Sequence, residues 1–137
     1  MPYSPLLIKP FRDEVVEVGV QELLTRDDVD KIMKESGIKL IFINSVCGCA
    51  AGIARPAIKL ALQHDKKPNI SASVFAGQDL EATAYFRQQI ADIPPSSPSI
   101  AVFQDSELIY FIPKHRIESR DTNSVANDLK AVFDEYC

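Results

Sequence analysis

Two of the chain's three cysteines, Cys47 and Cys49, stand one glycine apart, directly after an apolar run. Thiols that close have four uses: a disulfide staple, a metal clip, a redox centre or ordinary packing. Residues two apart have Cα atoms at most roughly 7 Å apart, so a disulfide is within reach. In a regular helix or strand, side chains at i and i+2 point to opposite or nearly opposite faces, so joining them takes an irregular turn. Gly48, free to adopt positive φ, is expected to permit it. So small a ring restricts little unfolded-chain entropy and is strained, which makes the pair a poor staple and a plausible redox centre.

Cysteine chemistry runs through the thiolate, and a free thiol with a pKa near ~8.5 is mostly protonated at neutral pH. A helix amino terminus offers unpaired N–H groups and about half a unit of positive charge, both of which stabilise an anion. Cys47 precedes the turn and is expected to point outward beyond the helix start, with its pKa lowered. Zinc is the rival reading, with Cys47, Cys49, His64 and His115 as four possible ligands. One intervening residue is shorter than the usual two-to-four spacing, and the histidines lack a paired motif. His64 reads more simply as a helix-end residue and His115 as a loop residue.

Composition bounds the setting. The chain has 137 residues, 46% of them hydrophobic and 25% charged, which suits one domain, residues 1–137, with one core. A net charge of -4 gives no basic footprint for nucleic acid. The longest apolar run is about seven residues, far below the ~20 that span a bilayer. The first ten residues have neither a charged n-region nor a long apolar h-region, so they do not read as a secretory signal. The expectation is a cytoplasmic protein with reduced thiols, where a close cysteine pair is catalytic or metal-binding rather than structural.

The elements that must position the pair follow from periodicity. Phe11 to Val18 reads as a short helix. Thr25 and Asp28 form a capping box for a helix from Arg26 to about Ser36, stopped by Gly37. Ile38 to Asn44 is almost continuously apolar, as a strand buried on both faces of a sheet reads. A helix then runs from after Cys49 to about His64, with Pro56 expected to kink it or mark a late start. Ile70 to Phe75 reads as a strand, and Asp79 as the cap of a helix to about Ala91. Pro94-Pro95-Ser96-Ser97-Pro98 forces extended or turn backbone. Ile100–Phe103 and Leu108–Ile112 form an antiparallel hairpin. Thr122 or Asn123 caps a last helix with Val125, Leu129, Val132 and Phe133 as its packing stripe. This is an α/β fold with a mixed sheet, parallel strands plus an antiparallel hairpin, flanked by helices. The cysteine pair falls at the carboxyl end of a central strand, where ligands collect in open α/β sheets.

The strand–cysteine pair–helix arrangement and the proline-rich loop before a strand resemble the thioredoxin-like fold. The resemblance implies a cis-proline before a strand, facing the redox motif, and Pro98 sits in that place. Cys47-Gly48-Cys49-Ala50-Ala51-Gly52 with Ala54-Arg55-Pro56-Ala57, Ser96-Ser97-Pro98-Ser99, Phe111-Ile112-Pro113-Lys114-His115 and the final Phe133-Asp134-Glu135-Tyr136-Cys137 resemble the bacilliredoxin family, atypical thiol-disulfide isomerases, along nearly the whole chain. The resemblance implies a thiol-disulfide oxidoreductase that removes bacillithiol from mixed disulfides on client proteins. It makes Cys47 the attacking nucleophile and Cys49 its second thiol, with Gly48, Ser97 and Pro98 at the substrate groove. No organic cofactor or metal is implied, only a low-molecular-weight thiol as co-substrate and client proteins as partners. A metal-binding or thiol-sensing module on the same two cysteines, without turnover, is the alternative.

Two accessory positions complete the reading. Arg55 could add positive potential near the thiolate, although a solvated arginine on a helix face is the simpler expectation. Cys137, the last residue, is expected to be exposed and mobile, with a resolving role or an intermolecular bridge open to it. The acidic pairs Asp13-Glu14 and Asp27-Asp28 read as solvated faces and helix-start charges.

Overall fold

A computed structural model describes residues 2–137. The framework is a five-stranded sheet of β1 (Gln21–Glu22), β2 (Ile38–Asn44), β3 (Ile70–Phe75), β4 (Ser99–Gln104) and β5 (Glu107–Ile112), in the spatial order β1-β3-β2-β4-β5. β1, β3 and β2 run parallel, whereas β4 is antiparallel to β2 and β5 to β4. The helices are α1 (Pro5–Val16), α2 (Arg26–Lys34), α3 (Arg55–Ala61), α4 (Leu80–Gln88), α5 (His115–Glu118) and α6 (Thr122–Tyr136), with a π-helical turn over Ala50–Ala54 leading into α3.

The apolar run at residues 38–44 is the sheet's central strand, and every one of its residues is buried. Successive strand residues face opposite sides. Leu40 and Phe42 therefore join Val15, Ile58, Leu129 and Phe133 in the core under α1, α3 and α6. Ile41 and Ile43 join Val29, Ile32 and Phe86 in the core under α2 and α4. Lys39 is the charged exception in this run. Its ammonium donates to the carbonyls of Ile32, Met33 and Glu35 at the end of α2, the first of which also accepts from the Glu35 N–H. Burial lowers its pKa.

Several boundaries differ from expectation. The first helix starts at Pro5 rather than Phe11 and contains Pro10. Ile8 and Val15, both fully buried, anchor it on either side of that proline, and Pro10 lies on the exposed side. The Thr25–Asp28 capping box forms as expected. Asp79 is the N-cap residue of α4 but makes no capping bond; its carboxylate instead takes both arms of Arg12 at 2.8 Å. The last helix is capped one residue earlier than expected, by Asp121, which accepts from the Ser124 N–H at 2.7 Å. β1 and α5 are too short for periodicity to reveal, and His115 opens α5 instead of lying in a loop.

Candidate functional site

Pairing register decides where the cysteines sit. Asn44 at the end of β2 lies beside Phe75, Ile43 lies opposite Ser99, and Ile100 lies opposite Ile112. The carboxyl ends of β2, β3 and β5 and the start of β4 therefore meet at one edge of the sheet. The cysteine motif, the proline loop and Lys114 all leave the sheet there.

Beneath the motif is a polar anchor built on Arg55. The side chain is 1% exposed, so the expectation of a solvated arginine is wrong. Its Nε donates to Glu14 Oε1 at 2.9 Å, and Nη1 donates to Asn44 Oδ1 at 2.9 Å and to the Ser45 carbonyl at 3.0 Å. The guanidinium lies over the Phe11 ring, 4.8 Å from its centroid. Asn44 Nδ2 donates to the Phe11 carbonyl, and Asn44 Oδ1 also accepts from the Ser45 N–H. One cation thus joins α1, the end of β2 and the start of α3, and Glu14 is half-buried as its counter-ion rather than a solvated charge. A buried arginine must be paired, and a rigid fork serves several acceptors at once. Arg55 positions the segment that carries the thiols.

Cys47 and Cys49 are free thiols with their sulfurs 2.8 Å apart. The Cys47 N–H donates to Ser45 Oγ at 3.1 Å, while its carbonyl accepts from the N–H groups of Ala50 and Ala51 as the helical segment begins. Gly48 is not in a left-handed conformation, contrary to expectation; the glycines with positive φ are Gly19, Gly37 and Gly77. The π-helical turn that follows widens the helix, and the sulfurs meet without a left-handed residue. A Cβ added at Gly48 meets nothing within 4 Å, so this glycine leaves open space beside the pair. Pro56 marks the late start of α3, lying in its first turn directly after the π-helical segment.

The two thiols differ in acidity. A hydrogen bond from Cys49 lowers the pKa of Cys47 against the opposing effect of burial, helped by the backbone N–H groups of Cys49 and Ala50 and by the charge of Lys114. Burial, together with the bond it gives to Cys47 and the charge there, pushes Cys49 up to about 11. Ionisation is thus favoured at Cys47, with Cys49 as the donor of the pair.

Beside Cys47 opens a cleft of about 330 Å³, with Tyr3, Arg87 and Ser97 among its walls. The Ser97–Pro98 peptide is cis, and Pro98 is buried where the chain enters β4. Residues 94–98 thus bring Ser97 to the nucleophile. Lys114, Arg87, Tyr3, Glu14 and Asn44 escaped the sequence reading. Lys114 was legible only as part of a familiar segment, and nothing local marks the others.

The remaining candidates are elsewhere. His64 pairs with Asp134 at 2.8 Å near the far end of α3 and α6, and His115 lines an apolar groove with Pro94 and Phe111. The four residues considered for zinc do not converge, and among the described residues no group of three His, Cys, Asp or Glu side chains is placed to hold a metal. Cys137 is exposed. The start of α6 touches the π-helical turn, through Thr122 Oγ1 and the Gly52 carbonyl at 3.0 Å. A 15-residue helix then carries the chain roughly 22 Å away, so Cys137 lies at the opposite end from the motif.

A mixed sheet with a dithiol at a strand-to-helix junction, and a cis Ser97–Pro98 peptide whose Ser97 shares the cleft with Cys47, defines a thioredoxin-fold oxidoreductase. The fold is shared with a thioredoxin variant from Halobacterium salinarum, at a TM-score of 0.60 and 13% identity over 87% of this chain and 91% of that one. Reduced thioredoxin from Schistosoma mansoni superposes with a TM-score of 0.58 at 15% identity, over 84% of this chain and 98% of that one. The family model described as disulphide isomerase matches residues 3–137. A bacilliredoxin from Geobacillus kaustophilus is 47% identical, over 98% of this chain and 94% of its own length. One from Cytophaga hutchinsonii is 45% identical, over 97% of this chain and 98% of its own. The chain belongs to the bacilliredoxin family. Among the described residues no helix is long and apolar enough to cross a membrane.

Proposed function

We propose that the chain removes a low-molecular-weight thiol from mixed disulfides on client proteins, with Cys47 as the nucleophile. The Cys47 thiolate attacks the sulfur of the small thiol, forming a disulfide with it. The client leaves as a thiolate and takes a proton from solvent. Cys49 then gives up its proton and attacks Cys47, releasing the small thiol and closing the Cys47–Cys49 disulfide; alternatively an external thiol attacks the small thiol's sulfur, carries it off as a disulfide between the two, and frees Cys47 as a thiolate without that ring. On the first route net oxidation moves from client to enzyme, and two further reduced thiols, leaving as the disulfide between them, restore the dithiol. The reaction needs no metal or organic cofactor. Bacillithiol is the small thiol the family's name points to, and a reducing cytoplasm is the compartment in which the dithiol recharges. Isomerisation of wrongly paired protein disulfides uses the same attack, with Cys49 as the escape route from a stalled intermediate.

The observation that carries this reading is the division of acidity between two touching thiols, Cys47 lowered and Cys49 pushed up to about 11. An exchange enzyme needs an attacking thiolate and a second thiol held protonated until it is called upon. Pro98 and Ser97 leave backbone groups near Cys47 with which an extended client segment pairs. The test is release of the small thiol from a bacillithiolated client protein. Cys47→Ser abolishes release, and Cys49→Ser accumulates the Cys47 mixed disulfide, seen by intact mass spectrometry. Full activity in Cys47→Ser ends the assignment.

A further inference from the structure

Arg87 stands in the cleft with Cys47, yet its charge is unspent. Arg12 is paired with Asp79 and Glu22, Arg55 with Glu14, and Arg116 and Arg120 with Asp128. Arg26 rests on the Tyr85 ring at 4.5 Å. Arg87 alone has no carboxylate or ring partner among the described residues. Its one hydrogen bond is a long one, from Nη2 to the Ser96 carbonyl at 3.5 Å. Its Nε is buried without an acceptor. Burial lowers its pKa, but a guanidinium keeps its proton in proteins. A half-buried cation with an empty donor face is costly to maintain unless something occupies that face.

The cleft supplies the setting for an occupant. No Asp or Glu is among its described walls, while Ser45 and Ser97 are. At about 330 Å³ it is at the small end of ligand sites and suits a small molecule better than a folded segment. Cys47 fixes where the occupant's sulfur must be, and the guanidinium fork fits a carboxylate with two parallel N–H···O bonds.

We infer that Arg87 is a specificity residue that binds a carboxylate of the small thiol while its sulfur is joined to Cys47, so that the cleft selects carboxylate-bearing thiols over neutral ones. This rests on the proposed exchange at Cys47, and it assigns Arg87 no part in bond breaking. It binds the group that distinguishes one small thiol from another.

The test isolates adduct formation from client turnover. A Cys49→Ser, Cys137→Ser chain is equilibrated with the symmetric disulfide of mercaptopropionate, of its methyl ester, or of mercaptoethanol. In each case the Cys47 thiolate takes one half and releases the other as a thiolate, and intact mass spectrometry reads the extent. A charge-assisted pair predicts that the mercaptopropionate adduct is favoured over both neutral ones by about tenfold. Arg87→Gln removes that preference, and Arg87→Lys keeps part of it. Equal adduct formation by acid and methyl ester with Arg87 in place overturns the inference, and so does an unchanged preference in Arg87→Gln. The ester comparison stands even if a variant folds poorly. Adduct preference without client turnover would instead refute the exchange function and leave the carboxylate site intact.

Discussion

Replacing Cys49 separates its two contributions, a hydrogen bond to the nucleophile and a sulfur for resolution. The Cys49 hydrogen bond is the largest influence lowering the Cys47 pKa, ahead of the backbone N–H groups and Lys114. A hydrogen bond to a charged group contributes about 1.5–3 kcal/mol, and a thiol is a weak donor, so the low end applies. At 1.36 kcal/mol per unit this is about one pKa unit. Cys49→Ala therefore raises the Cys47 pKa by about one unit, while Cys49→Ser, which keeps a donor, leaves it within a few tenths. The sign follows from an acid whose ionised form the fold stabilises: reactivity rises with pH through the Cys47 pKa, and losing the donor moves that rise to higher pH. At pH values below the Cys47 pKa the thiolate fraction falls about tenfold, and the more basic sulfur regains about threefold through its greater nucleophilicity, so alkylation there slows about three- to fourfold. The assay is the pH profile of iodoacetamide labelling at Cys47 in a Cys137→Ser background. An unchanged midpoint in Cys49→Ala, or an equal shift in Cys49→Ser, refutes the reasoning.

Other perturbations probe the scaffold. Arg55→Met takes the nearer cation from Glu14, which keeps only Lys59 at 3.7 Å, and one of two donors from the Asn44 oxygen, and breaking a buried pair costs about 3–5 kcal/mol, to be read by urea denaturation. Gly48→Ala is neutral or stabilising by up to about 1 kcal/mol, because the position has no positive φ and open space for a Cβ; a large loss of stability there would restore the view that this glycine needs a left-handed turn. Lys39→Met removes the side-chain donor from three carbonyls at the end of α2, of which only that of Ile32 keeps a backbone N–H, and hydrogen exchange should show that end fraying first, with a stability loss of about 1–3 kcal/mol. Lys114→Ala raises the Cys47 pKa by less than Cys49→Ala does, since it acts only through its charge, and the effect shrinks with added salt.

The sheet was largely legible because its signals are local. An unbroken apolar run at 38–44 has to be buried on both faces, and a four-residue connection has to turn a hairpin. Segments governed by distant partners were not legible. Pro10 looks like a boundary until Ile8 and Val15 are seen anchoring the turns around it. Arg55 looks solvated until Glu14, 41 positions earlier, is found beside it. The cysteines themselves were identified from spacing and position, and their unequal acidity follows from being in contact. The cleft was not legible, because Tyr3, Arg87 and Ser97 come from three distant stretches and meet only through the fold.

The placement of Cys137 separates two kinds of oxidation. Because α6 carries that thiol to the pole remote from the motif, it does not reach Cys47 within one molecule; a disulfide between two Cys137 thiols joins two molecules tail to tail. Such a pair leaves both clefts facing outward and unobstructed. A covalent dimer on a non-reducing gel would then record the history of the sample and not its catalytic state, and dilution would suppress it while leaving turnover per chain unchanged.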